Sequence, residues 1–266
     1  MDNTKELATV TNSAFIFDLR ALLVTTPSAF AKPKINSATL NRLDYLAGLT
    51  DGAVGIISDR ELERMKGLLH SVADNLYLIG SHGGEARSRN GNYLSAKSNN
   101  ALQSVRDDIN AFVSEHKPCF IENKKLSIAV HYGPEPGLSR TIYETLSKTA
   151  ELLGNGYQVV EGHFCWELKE ADHNMGSALS RLFTLPEFTG KRAYLFGTDP
   201  TVESAFLTTN LANGNTILVG EKERKTRAKY RLANSTELGD WIKRLCITQE
   251  VPELSKERSL SKSIAA

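Results

Sequence analysis

The sequence is poor in cysteine and tryptophan, carries no excess of either charge, and contains no long apolar run. Its three cysteines, Cys119, Cys165 and Cys246, lie far apart with no C-x-x-C spacing. That argues against a disulfide framework and a cysteine-built metal site, and fits reduced thiols. Lys and Arg total 32 against 31 Asp and Glu, a formal charge of +1. No global field therefore draws the chain to nucleic acid or to an anionic membrane. The basic run Glu221-Lys222-Glu223-Arg224-Lys225-Thr226-Arg227 is interleaved with acids and lacks aromatics, so it reads as a solvated face. No apolar stretch approaches the roughly 18 residues that span a bilayer. The start, Met1-Asp2-Asn3-Thr4-Lys5-Glu6, has no basic segment leading into an apolar one, so a cytoplasmic location is expected.

What is present is an alternation of short apolar runs and amphipathic stretches. Ala14-Phe15-Ile16-Phe17 ends at Asp18, Ala53-Val54-Gly55-Ile56-Ile57 ends at Ser58, and Leu76-Tyr77-Leu78-Ile79-Gly80 is a third run. Helical spacing covers 37–49 and about 59–72 between them. This order predicts an α/β fold with a parallel sheet covered by helices. In such a sheet, polar residues at strand C-termini line the ligand crevice. Near residue 84 the pattern changes. A hairpin-type turn falls at Arg89-Asn90-Gly91-Asn92, followed by a charged helix over about 100–116, strands at 119–122 and 127–132, a helix over about 138–153, and strands at 157–161 and 164–168. The parallel pattern resumes with a helix over about 175–183, strands at 193–197 and 215–219, and a last helix at 241–245. The expected organisation is a core from 1–83 and 171–247, an inserted α+β segment from 84–170, and a flexible tail from 248–266.

Phe15-Ile16-Phe17-Asp18-Leu19-Arg20-Ala21-Leu22-Leu23 resembles the first motif of the haloacid dehalogenase-type phosphatases. More narrowly, the chain is similar to the trehalose-6-phosphate phosphatase family over residues 13–245. The resemblance is carried by Ile56-Ile57-Ser58-Asp59-Arg60, Gly80-Ser81-His82-Gly83, Ile121-Glu122-Asn123-Lys124-Lys125-Leu126-Ser127, Val130-His131-Tyr132, Trp166-Glu167-Leu168-Lys169 and Gly197-Thr198-Asp199-Pro200-Thr201-Val202-Glu203. It implies a Rossmann-like haloacid dehalogenase-type core with an inserted sugar-recognising α+β cap. In that chemistry an aspartate attacks phosphorus and becomes an aspartyl phosphate. A second carboxyl group two residues later protonates the leaving oxygen and then activates water. A lysine and Mg²⁺ neutralise the phosphoryl oxygens.

Position by position, the resemblance makes Asp18 the nucleophile and Ser58 the phosphate-binding hydroxyl. Arg20 stands where the acid/base carboxylate belongs, and Met175 where the lysine belongs. Asp18 and Asp199 remain as metal ligands, while Thr198 and Val202 replace two carboxylates. Mg²⁺ is implied as cofactor only if the chain is active, and otherwise none is. A guanidinium pKa exceeds about 12, so Arg20 cannot serve as a proton donor near neutral pH. Two arrangements are open: Arg20 lies among the carboxylates as an internal cation in place of Mg²⁺, or it swings outward from an open site. In the cap, Glu122, Lys124, His131 and Glu167 fall where the family contacts glucose hydroxyls. Gly133 and Lys125 depart from its pattern, which has an arginine and a glycine there.

Each feature has a plainer reading. Asp18 could cap a helix, Ser58 could be an N-cap, and Glu122, Lys124 and Glu167 could form an ordinary exposed strand face. His82 between glycines reads as structural, and Met175 as filling space left by a lysine. The favoured function is a trehalose-6-phosphate phosphatase-like protein with impaired or absent turnover, binding trehalose 6-phosphate or regulating an active trehalose-pathway enzyme. The alternatives are an active Mg²⁺-dependent phosphatase working through Asp18, with Glu203 supplying a missing group, and a structural partner that binds no sugar. Neither nucleic acid nor membrane is an expected partner.

Overall fold

A computed structural model of the chain describes residues 9–24, 33–95, 100–133, 136–162, 164–221 and 224–256. In chain order the strands and helices are β1 (Ser13–Asp18), α1 (Ser37–Leu49), β2 (Val54–Ile57), α2 (Leu62–Leu69), β3 (Tyr77–Gly80), β4 (Glu85–Arg87), β5 (Tyr93–Ser95), α3 (Asn100–Ser104), α4 (Arg106–Glu115), β6 (Phe120–Asn123) and β7 (Ser127–His131). They continue with α5 (Pro136–Leu153), β8 (Tyr157–Gly162), β9 (Cys165–Glu170), α6 (Met175–Leu182), β10 (Arg192–Gly197), α7 (Glu203–Leu211), β11 (Asn215–Val219), β12 (Tyr230–Leu232), α8 (Ser235–Thr248) and β13 (Ser255–Lys256).

The large sheet runs β13-β12-β11-β10-β1-β2-β3-β4-β5. The strands from β12 through β3 are parallel, and β13, β4 and β5 are antiparallel additions. β1 is buried at every position because both faces are covered, and so its sequence is continuously apolar rather than alternating. Phe15 and Phe17 face a core made with α1, α2 and α8, while Ala14 and Ile16 face one made with α6 and α7. Phe17 stacks on Phe196 of the neighbouring β10 at 5.1 Å, and Trp241 of α8 lies 4.8 Å from Phe196. The chain builds β2 and β3 on one side of β1 and returns to its other side with β10. This reversal opens a crevice at the C-terminal ends of β1 and β10, the place where open α/β sheets hold ligands.

Residues 100–170 form a second, antiparallel sheet in the order β6-β7-β9-β8. Ile128, Val130 and Leu168 pack against α3, α4 and α5. The two-residue alternation then turns Ser127, Ala129, His131, Glu167 and Lys169 to the opposite face, with Glu122 opposite Ala129 and Ala129 opposite Glu167.

Two boundaries differ from the sequence expectation. The inserted segment was expected from residue 84, but β4 and β5 extend the large sheet as a hairpin on β3. Glu85 fixes the hairpin there by accepting from the Leu62 backbone N–H, the Ser81 hydroxyl and the Tyr93 hydroxyl. The tail was expected to be flexible from 248. Through residue 256 it is docked: Glu250 bridges Thr9, the Pro252 carbonyl accepts from the Trp241 indole N–H, and β13 pairs with β12. The rest of the tail lies outside the described residues.

Candidate functional site

Asp18 ends β1 and is buried. Its Oδ1 accepts the Arg20 backbone N–H at 3.1 Å. Its Oδ2 accepts both the Thr198 N–H at 3.2 Å and the Thr198 hydroxyl at 2.6 Å from the end of β10. Burial, reinforced by the neighbouring Asp199 carboxylate, pushes the Asp18 carboxyl up to about 7 despite these donors.

Arg20 lies in the 3-10 turn that follows β1. Its Nε is 3.0 Å from Asp199 Oδ2 and its Nη2 is 3.4 Å from Asp59 Oδ2. Arg20 thus reaches inward and joins the ends of β2 and β10. The sequence placed Asp59 only at the start of a helical stretch and did not foresee this pairing. Burial works to raise the Asp59 carboxyl, but Arg20, Lys124 and His82 outweigh it and hold it below its ordinary value.

Ser58, one residue past the strand partner of Asp18, is buried. Its hydroxyl oxygen accepts the Arg60 N–H at 3.1 Å, and the hydroxyl donates to Asp59 Oδ1 at 3.2 Å. The N-cap position of α2 is Glu61, so Ser58 shapes the turn before the helix. Asp199 accepts the Thr201 N–H at 3.0 Å and the Thr201 hydroxyl on Oδ1. Val202 is fully buried in the α6–α7 core. Glu203 turns away to Arg224, the Thr226 hydroxyl and the Arg227 N–H. Met175 opens α6 with its side chain in the same apolar core, and it also borders a separate 290 Å³ cavity with His82, Lys169, Thr201 and Ser204.

A larger cavity of 640 Å³ lies between the two sheets. Arg20, Asp59, Arg60 and Arg64 line it from one side, and Phe120, Glu122, Lys124 and His131 from the other. Glu122 accepts from His131 Nε2 at 3.1 Å and pairs with Arg64 of α2. The His131 hydrogen bond, with Lys124 and Arg64 nearby, outweighs burial and pulls the Glu122 carboxyl down to about 2. Phe120 stacks flat on His131 at 4.5 Å and is 57% exposed, giving the cavity an aromatic wall. Sequence reasoning missed Phe120, although its place two residues from Glu122 on one strand puts both on the same face.

Glu167 sits behind this wall at 2% exposure. Lys124 Nζ is 3.0 Å from both of its oxygens, His82 Nε2 is 3.0 Å from Oε2, and the Ser127 hydroxyl donates to Oε1. Burial would raise this carboxyl, but His82, Lys124 and Ser127 hold it far below the ordinary range. Of the four expected sugar contacts, Glu122, Lys124 and His131 face the cavity, and Glu167 positions Lys124. His82 holds a left-handed conformation with φ of 55°. Gly83 beside it has φ +96°, where a Cβ would lie 2.7 Å from the Asn174 carbonyl, so the loop needs glycine there. That packing presents His82 to Glu167 and ties the large sheet to the small one.

Chemically, the cavity can recognise an anion through its guanidinium groups at one end. At the other it offers mixed donors and acceptors to a hydroxyl-rich body beside an aromatic face.

Comparison with known proteins agrees with this fold. The chain is 27% identical over 198 residues to a Sinorhizobium fredii protein named "Probable trehalose-phosphate phosphatase", covering 74% of this chain and 73% of that one. The solved C-terminal domain of Candida albicans trehalose-6-phosphate phosphatase superposes with TM-score 0.76 at 20% identity, covering 89% of this chain and 92% of that one. The C-terminal domain of the Candida albicans trehalose synthase regulatory protein superposes with TM-score 0.64 at 15% identity, covering 88% and 98%. The trehalose-phosphatase family model matches residues 17–236, and with most of its length inside that match the chain belongs to the trehalose-phosphatase family.

Proposed function

We propose that the chain binds a sugar phosphate of the trehalose 6-phosphate type, turns it over poorly or not at all, and acts as a regulatory subunit beside an active trehalose-pathway enzyme in the cytoplasm. The observation that carries this reading is Arg20. It occupies the place of the acid/base carboxylate and is tied to Asp199 and Asp59, so no proton donor stands two residues after Asp18. Met175 puts a thioether where the family's lysine would neutralise phosphoryl charge. Loss of general acid–base help costs about 10²–10⁴ in rate, and loss of a charge-stabilising group about 10²–10³. The two do not multiply cleanly, yet the smaller combination takes a typical turnover of about 10 per second to about 10⁻³. The cavity, with Glu122, Lys124 and His131 converging on it, supports binding. The fold it shares with a protein named for trehalose synthase regulation supports the regulatory role.

The second reading, an active Mg²⁺-dependent phosphatase forming an aspartyl phosphate, is favoured by Asp18 at the sheet's crevice. It is weakened by Glu203, whose carboxylate is engaged by Arg224, Thr226 and Arg227. The deciding experiment is phosphate release from trehalose 6-phosphate with Mg²⁺, beside an Asp18→Asn control. We expect no release above the control. Asp18-dependent turnover near one per second would establish the second reading.

A further inference from the structure

Mg²⁺ requires near-octahedral oxygen donors at short range, supplied in part by carboxylates with free lone pairs. The residues at the β1–β10 crevice do not fit that requirement. Asp18 Oδ2 already accepts two hydrogen bonds from Thr198, and Asp18 Oδ1 accepts the Arg20 N–H. Asp199 Oδ1 accepts two from Thr201, and Asp199 Oδ2 faces Arg20 Nε at 3.0 Å. Val202 contributes no oxygen, and Glu203 is committed to the 224–227 segment. Among the described residues no group of three His, Cys, Asp or Glu side chains is arranged to hold a metal.

A buried carboxylate cluster still needs a counter-charge, since unpaired charge in a low-dielectric site is costly. Arg20 supplies it. Its fork reaches carboxylates at the ends of two different strands, Asp199 after β10 and Asp59 after β2, and its own backbone N–H serves Asp18 between them. A guanidinium stays charged at any physiological pH and suits such planar multidentate pairing better than an ammonium does. We infer that Arg20 is a built-in cation that takes the place of the divalent metal, so that this site is assembled, and its ligand bound, without Mg²⁺. The inference deepens the proposed function and rests on it for the identity of the bound ligand, but not for the state of the carboxylates.

The test uses the full chain and three readouts. Equimolar Mn²⁺ followed by electron paramagnetic resonance should stay free in the presence of the wild-type protein. Arg20→Ala should lower the thermal midpoint, and Arg20→Lys should keep only part of it, since an ammonium supplies the charge without the fork that reaches both Asp199 and Asp59. Calorimetric affinity for trehalose 6-phosphate should change less than twofold between EDTA and excess Mg²⁺. Uptake of one Mn²⁺ equivalent by the wild type, abolished in Asp199→Asn, would overturn the inference even if Arg20→Ala proved too unstable to handle. An Arg20→Ala protein as stable as the wild type would also overturn it. A tenfold or greater dependence of sugar-phosphate affinity on Mg²⁺ would do the same. Absence of any trehalose 6-phosphate binding would instead remove the sugar-phosphate reading, leaving the Mn²⁺ and stability arms to judge the built-in cation.

Discussion

Asp18 carries an electrostatic cost that its hydrogen bonds only partly offset. Its carboxyl titrates at about 7 in the fold against 3.8 in an unperturbed chain. Between those values the folded state holds a proton that the unfolded state has released, so stability falls as pH rises through that window. Asp18→Asn removes the charge and keeps an acceptor for Thr198, while setting an amide donor against the Arg20 N–H. We expect a net stabilisation on the order of 1 kcal/mol at pH 8, shrinking at pH 5 and gone below pH 4. Urea titrations in EDTA at the three pH values measure it, and a pH-independent gain would contradict the assignment. Asp18 and Ser58 stood out in the sequence because each directly follows an apolar run, whereas Asp199, one residue beyond Thr198, stood out only through the family resemblance. Asp59 and Arg64 were not, since their partners lie 39 and 58 residues away, and only the closed fold brings them together.

At the scale of elements, Lys125 is one of the residues through which the small sheet grips the large one. Its backbone N–H donates to Glu61 Oε1 at 2.7 Å, and its Nζ reaches the Ser95 hydroxyl at 2.7 Å and Glu85 Oε1 at 3.4 Å. The ammonium also lies 5.8 Å from the Tyr93 ring centre. Lys125→Gly removes every side-chain part of this grip and leaves the backbone contact. Because the lysine is partly exposed, the loss of global stability should stay within about 1 kcal/mol. The local effect should be larger: amide exchange in β5 and in the β6–β7 turn should quicken several-fold while β1 and β10 stay protected. Unchanged exchange in β5 would show that the hairpin is held by Glu85 alone. The hairpin also marks the limit of sequence reading here. Its turn was evident at residues 89–92, but a short hairpin does not disclose which sheet it joins. β12 and β13, of three and two residues, are too brief to show any period. The strands β1 and β2 were legible through their apolar runs, and β10 and β11 through residues 193–196 and 217–219, all buried under helices on both faces.

At the scale of the molecule, two sheet layers of different construction meet across a polar seam. Arg64–Glu122, Glu61–Lys125 and His82–Glu167 span it, and seams of this kind couple their partners more weakly than apolar ones. The chain contains two tryptophans, and the fold deals one to the large sheet and one to the small. Trp241 is fully buried against Phe196 and Phe15. Trp166 lies on the small sheet, half-buried, with its indole N–H donating to Ser139 at 3.0 Å. The molecule therefore carries its own pair of optical reporters. In a Trp166→Phe protein the remaining emission should be blue-shifted and follow the large sheet alone. The signal lost from the wild type should report the small sheet, with a midpoint at lower urea. Coincident midpoints would mean that the seam makes one cooperative unit of the two, and that light emitted from either sheet tells the fate of both.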